Sequence, residues 1–95
     1  MVVERVQALS HHDLRRLIPR LFPSEGAPCW VGTHCTIDFQ TGQQLRLEMA
    51  PEVGRTLGAL RIVSTPLRLI FDQWPEAERQ VVLRRLEQAF QQGGG

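Results

Sequence analysis

The alternation of apolar and polar residues from Cys35 to Met49 constrains the fold of this chain more than any other feature. Successive side chains on a strand point to opposite faces of a sheet, so this pattern predicts an antiparallel hairpin with one buried and one solvent-facing side. Strands are expected near Trp30–Phe39 and Gln43–Met49, with Gly42 in the left-handed conformation closing a bulge at the turn. The alternating apolar residues are Cys35, Ile37, Phe39, Leu45, Leu47 and Met49.

A helix is predicted before this hairpin. Ser10 begins it as an N-cap, and Asp13 completes a capping box three residues later. The apolar face of this helix consists of Leu14, Leu17, Ile18, Leu21 and Phe22. Pro19 lacks an N–H and clashes with the preceding turn, so we expect the helix to end or kink near Ile18. The preceding segment, Val2 to Leu9, fits a helix and a short strand almost equally well.

After the hairpin, the sequence predicts a turn over residues 50–54 and then further strand structure. The apolar residues occupy even-numbered positions before residue 64 and odd-numbered positions after residue 66, so the phase of the alternation changes between them. They are Leu60 and Ile62, followed by Leu67, Leu69 and Phe71. Proline cannot donate to a sheet ladder, so Pro66 marks an edge, a bulge or a corner. We therefore expect either two short strands or one long strand bulged at Pro66.

A second helix is predicted at the C-terminal end. Pro75 suits the first helical position, and Glu76 and Glu78 lie in the first turn, where the helix dipole favours negative charge. Its apolar stripe consists of Val82, Leu83, Leu86, Ala89 and Phe90. We expect a frayed tail over 91–95. The chain is thus predicted to be a single α+β domain over 1–95, with an N-terminal helix and a C-terminal amphipathic helix packed on a small antiparallel sheet. That sheet is expected to contain three to four strands, formed by a hairpin and a meander.

The composition excludes several classes of protein. The 95 residues are 42% hydrophobic and 22% charged, with a formal net charge of +1. These values are typical of a globular protein, and no apolar run approaches the ~18 residues of a membrane span. The near-neutral charge provides no field that would attract nucleic acid. We expect a cytoplasmic protein without a membrane or nucleic-acid partner. Because lysine, asparagine and tyrosine are all absent, we also expect a GC-rich bacterial source.

The residues that bind metals or act as nucleophiles form no metal-binding or catalytic pattern. Cys29 and Cys35 are too far apart for a zinc-binding pair, and a disulfide between them is not expected, since such positions on one strand lie ~20 Å apart. Cys35 is expected to be buried, whereas His34 points to the opposite face. His34, Asp38 and Glu48 form either an acid/base cluster or simply the solvated side of the sheet. We predict no metal, no cofactor and no enzymatic activity.

The arginines suggest a possible ligand site. Arg15, Arg16 and Arg20 precede the sheet, and Asp38 follows Arg20 by 18 residues, next to the hairpin turn. Guanidinium groups bind phosphate, and a carboxylate binds base or sugar donors, so this set suits an anion or purine clamp. The segment resembles the PilZ family, whose members join an RRxxxR segment to a (D/N)x(S/A)xxG turn on a β-barrel and bind cyclic di-GMP. The three arginines match the first motif and Asp38 matches the start of the second. The resemblance implies a regulatory domain that binds an anionic nucleotide through these four residues.

A protein interaction module is the interpretation that we favour. Small antiparallel sheets with proline-marked edges often pair an edge with another chain or dimerise through it. Trp30 and Trp74 are of the type common at interfaces, although they also suit the core. Because no catalytic constellation is present, we predict a non-enzymatic protein–protein interaction or dimerisation module with a protein partner or a second copy. The alternative is a PilZ-like domain that binds an anion or a cyclic dinucleotide.

Overall fold

The computed structural model describes residues 1–94 and places both helices on one face of an antiparallel sheet. The elements are β1 (Val2–Gln7), α1 (His11–Leu17), a 3-10 turn (Ile18–Arg20), β2 (Cys29–Val31), β3 (His34–Asp38), β4 (Gln44–Met49), β5 (Val53–Leu57), β6 (Leu60–Phe71) and α2 (Glu76–Gly94). The sheet order is β1-β6-β4-β3-β2, and β5 pairs with β6 beyond the end of β4. The predicted α+β class, with an antiparallel sheet and two helices, is confirmed.

The predicted count of three to four strands was wrong, because the sheet has six. The first additional strand is β1, which precedes α1 and pairs along its whole length with β6, so the first helix is not the first element. Gly32, with φ 60°, turns the chain back and splits the strand predicted over 30–39 into β2 and β3. The strand β5 begins at Val53, inside the segment that we predicted to be a turn. Pairing with the distant strand β6 decided the first case, and local periodicity does not report such pairing, whereas β5 pairs with the adjacent β6 through a two-residue turn that we did not predict.

The strand β6 is one strand of 12 residues and continues through Pro66 in unbroken register with β1. Of our two alternatives, the single long strand is therefore right and the bulge is wrong. On its other side, β6 pairs with β5 as far as Ser64 and with β4 from Leu67 onwards. The Pro66 carbonyl accepts from the backbone N of Ala50 at 2.9 Å. Because the N–H and C=O of a residue in an antiparallel ladder point to the same neighbour, the missing N–H of Pro66 faces the gap between β4 and β5.

The core lies between the sheet and the two helices. Alternate residues of β3, β4 and the second half of β6 face it, as the hairpin pattern predicts, and Ile37 pairs with Leu45. The helices add the buried residues of their predicted stripes. The buried core consists of Val3, Leu9, Leu14, Ile18, Phe22, Cys35, Ile37, Leu45, Leu47, Met49, Leu67, Leu69, Phe71, Val82, Leu86 and Phe90.

The local signals at the ends of the elements are confirmed. The Asp13 backbone N donates to Ser10 Oγ at 3.1 Å, and the Ser10 backbone N donates to the Asp13 carboxylate at 3.5 Å, which completes the capping box. The helix α1 ends one residue before the 3-10 turn that contains Pro19. At the hairpin turn, Gly42 has φ 87° and its N–H donates to the Phe39 carbonyl at 2.9 Å.

Two further features concern the ends and edges of the fold. The helix α2 extends to Gly94, so it includes most of the tail that we predicted to fray over 91–95. The last residue of that tail, Gly95, lies outside the described residues. No helix within residues 1–94 has the length and apolar character that crossing a membrane requires. The sheet is open, with β1 and β2 at its two ends.

Thr65 provides a test of the buried polar contact at the middle of β6. Its side chain is fully buried, and Oγ1 donates to the Leu9 carbonyl at 2.7 Å. The substitution T65V preserves the shape but leaves that buried carbonyl without its donor, so we expect the free energy of unfolding to fall by about 1–3 kcal/mol. Urea denaturation measures the change, and T65S, which retains the hydroxyl, is the control. A T65V variant that unfolds with the wild-type free energy would contradict this assignment.

Candidate protein-protein interface

The β5–β6 hairpin projects beyond the remainder of the sheet, and we call residues 53–64 the arm. Within residues 1–94, the two strands of the arm pair only with each other, and every residue of β5 is exposed. Leu57 and Leu60 flank a two-residue turn at which Gly58 has φ 60°, the left-handed conformation that tight hairpins favour. The molecule measures 47 × 25 × 21 Å, which accommodates such an extension along its longest dimension.

The two faces of the arm differ in character. On one face, the Arg61 guanidinium lies over Gly54, where a Cβ atom would come within 2.9 Å of Nη2. On the other face, Leu57 pairs with Leu60, and Arg55 pairs with Ile62. Side chains alternate along both strands, so Val63 lies on the first face with Arg61, and the second face carries Arg55 together with Val53, Leu57, Leu60 and Ile62. The arm is therefore a two-stranded ribbon with one apolar side.

The apolar side of the arm is continuous with the sheet face that the helices leave uncovered, which we call the helix-free face. β6 is one unbroken strand, so its even-numbered and odd-numbered residues point to opposite faces of the sheet. Leu67 and Leu69 face the core, and Leu60 and Ile62 therefore lie on the helix-free face. Among residues 1–91, whose side chains the structure describes, nine large hydrophobic residues are exposed, and seven lie on this face. They are Val2, Val6, Val31, Val53, Leu57, Leu60 and Ile62.

A row of charged residues crosses the helix-free face beside the arm. Cross-strand pairing aligns Glu4, Arg68, Glu48 and His34, and we call this row the charge ladder. Arg68 contacts Glu48 at 3.3 Å and Glu4 at 3.7 Å. Two carboxylates therefore share one guanidinium. The ladder lines a depression of ≈590 Å³, together with Val6 and other residues near the base of the arm.

The predicted arginine clamp is distributed over separate contacts. Arg15 donates to the Gly32 carbonyl, and its guanidinium carbon lies 4.6 Å from the centre of the Trp30 ring. Arg16 and Arg20 line one dip of ≈220 Å³ on the outer side of α1. Asp38 accepts from the Gln44 side chain at 2.9 Å. The structure thus brings Arg16 and Arg20 together and engages Arg15 and Asp38 elsewhere, and the four-residue ligand site remains a prediction.

The predicted acid/base cluster is brought together in part. His34 and Glu48 are cross-strand partners on the helix-free face, and Glu48 also contacts Arg68. Asp38 lies four residues further along β3, a separation of roughly 13 Å by strand rise. Within residues 1–94, no group of three or more His, Cys, Asp or Glu residues is arranged to hold a metal ion.

Both tryptophans support the fold with part of their surface. The Trp74 ring packs edge-on against Phe39 and Phe71 at centroid distances of 5.0 and 5.3 Å, and its Nε1 donates to the Gln44 carbonyl at 2.9 Å. Trp30 is half-buried beneath Arg15. A groove of ≈400 Å³ lies beside Trp74, between the hairpin turn and α2. The interface role predicted for these two residues remains untested.

The two cysteines occupy neighbouring strands and point to opposite faces. We predicted a separation of ~20 Å along one strand, but the turn at Gly32 places Cys29 opposite Thr36, next to Cys35. Both thiols are free, with Cys29 exposed and Cys35 buried. Burial, followed by the nearby Cys29, raises the pKa of the Cys35 thiol from 9.0 to about 11, although Arg15 acts in the opposite direction. A nucleophilic thiol requires a lowered pKa, so Cys35 acts as a small apolar residue.

Comparison with known proteins provides no relative from which a function could be transferred. No family model matches the sequence, and neither the curated proteins nor the solved structures give a significant match. The candidate interface therefore depends on the chain's own geometry. Sequence reasoning missed the arm as a surface, although the phase change between Ile62 and Leu67 was its visible signal.

The assignment of the cysteines predicts selective alkylation. Iodoacetamide at pH ~8 should modify Cys29 in the folded chain and should spare Cys35, because the pKa of about 11 keeps that buried thiol protonated. Mass spectrometry should show one adduct in buffer and two in denaturant, whereas C29S should show none in buffer. The free energy of unfolding should also fall as the pH rises from about 9 to about 11, because the unfolded chain loses this proton first. Rapid modification of both thiols in the folded chain would contradict the assignment.

Proposed function

We propose that this chain is a non-enzymatic protein–protein interaction or dimerisation module whose binding surface is the arm together with the helix-free face. The observation that carries the proposal is the concentration of seven exposed Val, Leu and Ile side chains on one face of the sheet. An antiparallel sheet with one face open to water normally presents polar side chains there. Contiguous exposed apolar surface marks interaction sites in folded proteins.

Two further features support the same proposal. The outer edge of β5 pairs with no other strand among residues 1–94, and unpaired edges commonly accept a strand from another chain. The charge ladder lies beside the apolar arm and adds polar groups that would align a partner. A cytoplasmic location and a bacterial source belong to the proposal as well, and the two free thiols suit a reducing compartment.

The proposal predicts that apolar residues of the arm carry binding. We expect L60T/I62T to retain less than about a tenth of the protein that the immobilised wild-type chain retains from a bacterial lysate. Burial of such a side chain is worth about 1.5–3 kcal/mol, and threonine preserves the tendency to form strands. Quantitative mass spectrometry of the retained proteins measures the effect.

The matched control is V81T, which changes an exposed valine on α2, away from the arm. It should retain the wild-type set of proteins in wild-type amounts. Circular dichroism and thermal unfolding should show that both variants are folded. Equal retention by L60T/I62T and the wild-type chain would contradict the proposed function, and so would a monomeric wild-type chain that specifically retains nothing.

A second candidate function is the binding of an anion or a cyclic dinucleotide, in line with the PilZ resemblance. It is supported by Arg16 and Arg20, which line the same dip, although Asp13 lies there too. At ≈220 Å³ the dip is smaller than most small-molecule sites, which favours a compact anion. This candidate predicts a rise in melting temperature with phosphate or cyclic di-GMP that R16A abolishes. An unchanged melting temperature with both compounds would exclude it.

A further inference from the structure

We infer that the partner of the helix-free face is a second copy of this chain, packed face to face about a two-fold axis that crosses β6 near Thr65. In this arrangement each arm lies over the Arg68 and Glu48 part of the other copy's charge ladder. The inference rests on the proposed function, because it names the partner of the same surface. Three properties of the surface support a second copy over an unrelated protein: its symmetry about Thr65, its charges and its area.

The first property is the position of Thr65 between the part of β6 in the arm and the part in the body of the sheet. Residues 60–64 form one side of the arm, and residues 66–70 cross the body of the sheet. A two-fold axis through Thr65, perpendicular to the strand and lying in the interface plane, therefore places each arm over the body of the other copy. Leu60 then lies over Ile70, so one apolar contact forms on each side of the axis, while Ile62 lies over Arg68. The same patch serves both copies, as two-fold interfaces require, and stacked sheets pack about 10 Å apart.

The second property is the charge of the surfaces that meet. The strands β5 and β4 lie on the same side of β6, so the axis brings β5 of one copy over β4 of the other. Arg55 is paired with Ile62, and Glu48 is paired with Arg68. Residues 62 and 68 are equally far from Thr65, so the axis places residue 62 of one copy over residue 68 of the other. Their cross-strand partners, Arg55 and Glu48, then also lie over each other.

The resulting charge balance favours a second copy. On the face that meets the other copy, the arm carries Arg55 and no acidic residue, and in each copy Glu4 and Glu48 share the single guanidinium of Arg68. With Arg55 supplied by the other copy, two guanidiniums serve two carboxylates. Because the interface is symmetric, this exchange occurs twice.

The third property is area. The two larger dimensions of the molecule are 47 and 25 Å, and a standard protein interface requires roughly 800 Å² from each partner. A face within these bounds leaves room for an interface of that size. The groove beside Trp74 is the other apolar concavity of note, and it carries Glu25 and Glu78. That groove lies on the side of the helices, so an arm seated there would leave the rest of the helix-free face uncovered, and we favour the helix-free face.

Sedimentation equilibrium of the wild-type chain and two charge variants tests the inference. We expect the wild-type chain to be dimeric once its concentration is raised to about 100 µM, because interfaces of this size associate in that range. R55E should raise the dissociation constant at least about tenfold, because a carboxylate would then face the charge ladder. R61E is the matched control, since it makes the same charge change on the opposite face of the same arm, and it should associate as the wild-type chain does.

A mixture of two variants tests the pairing of Arg55 with Glu48 directly. E48R alone should also weaken the dimer, but R55E and E48R mixed in equal amounts should form a heterodimer, because that combination restores opposite charges at both contacts. E78R is the control for E48R. A mixed dimer of R55E and E78R should have opposite charges at only one of its two contacts between residues 55 and 48, so it should remain weak. E48Q removes the carboxylate without placing a second cation beside Arg68, and it should weaken the dimer even where E48R does not fold.

The possible results separate this inference from the proposed function. A monomeric wild-type chain, an R55E variant that dimerises normally, or rescue of R55E by E78R in place of E48R would overturn the inference. If the wild-type chain is monomeric but retains other proteins through Leu60 and Ile62, the proposed function stands and the second copy is wrong. If it is monomeric and retains nothing, both are wrong.

Discussion

The hydrogen bonding of β6 to three other strands is the interaction on which the rest of this structure depends. Along its second half, β6 lies between β1 and β4 at the centre of the sheet, and along its first half it pairs with β5 alone. Thr65 and Pro66 mark the boundary between these halves. The hydroxyl of Thr65 ties the middle of the strand to Leu9, and Pro66 tolerates the change of partner because its missing N–H faces the gap between β4 and β5.

The unequal halves of β6 explain the shape of the molecule and its uncovered surface. The two helices pack on the side where the second half of β6 carries Leu67, Leu69 and Phe71, and that side forms the core. The first half extends beyond the helices, so Leu60 and Ile62 remain exposed. They also point to the other side of the sheet. One strand thus supplies both the centre of the core and the edge of the candidate interface, and a partner on the helix-free face would bury the remaining apolar surface.

Signals that act over a few residues could be read from the sequence, and those that depend on distant pairing could not. The capping box of Ser10 and Asp13, the left-handed Gly42 and the apolar stripes of both helices involve neighbours within one or two turns. The strand β1 was ambiguous because its pattern suits two structures, and only pairing with β6 selects one of them. The arginine clamp could not be assessed for a similar reason. Residues close in sequence on α1 point in different directions, so Arg15 reaches Gly32 and Trp30 whereas Arg16 and Arg20 share a dip.

The sequence by itself determined the α+β class, the central hairpin, the starts and apolar faces of the helices, and the change of phase between Ile62 and Leu67. Each is a periodicity or a capping interaction set by the covalent spacing of nearby residues. Only the tertiary structure decided that the phase change occurs within one continuous strand, that β5 folds back on it, and that Glu4, Arg68, Glu48 and His34 form one row. The row of charges joins segments that are far apart along the chain, whereas β5 and β6 are adjacent and pair through a two-residue turn. Their geometry follows from strand order and register, which arise when the hydrophobic core forms and which no local pattern encodes.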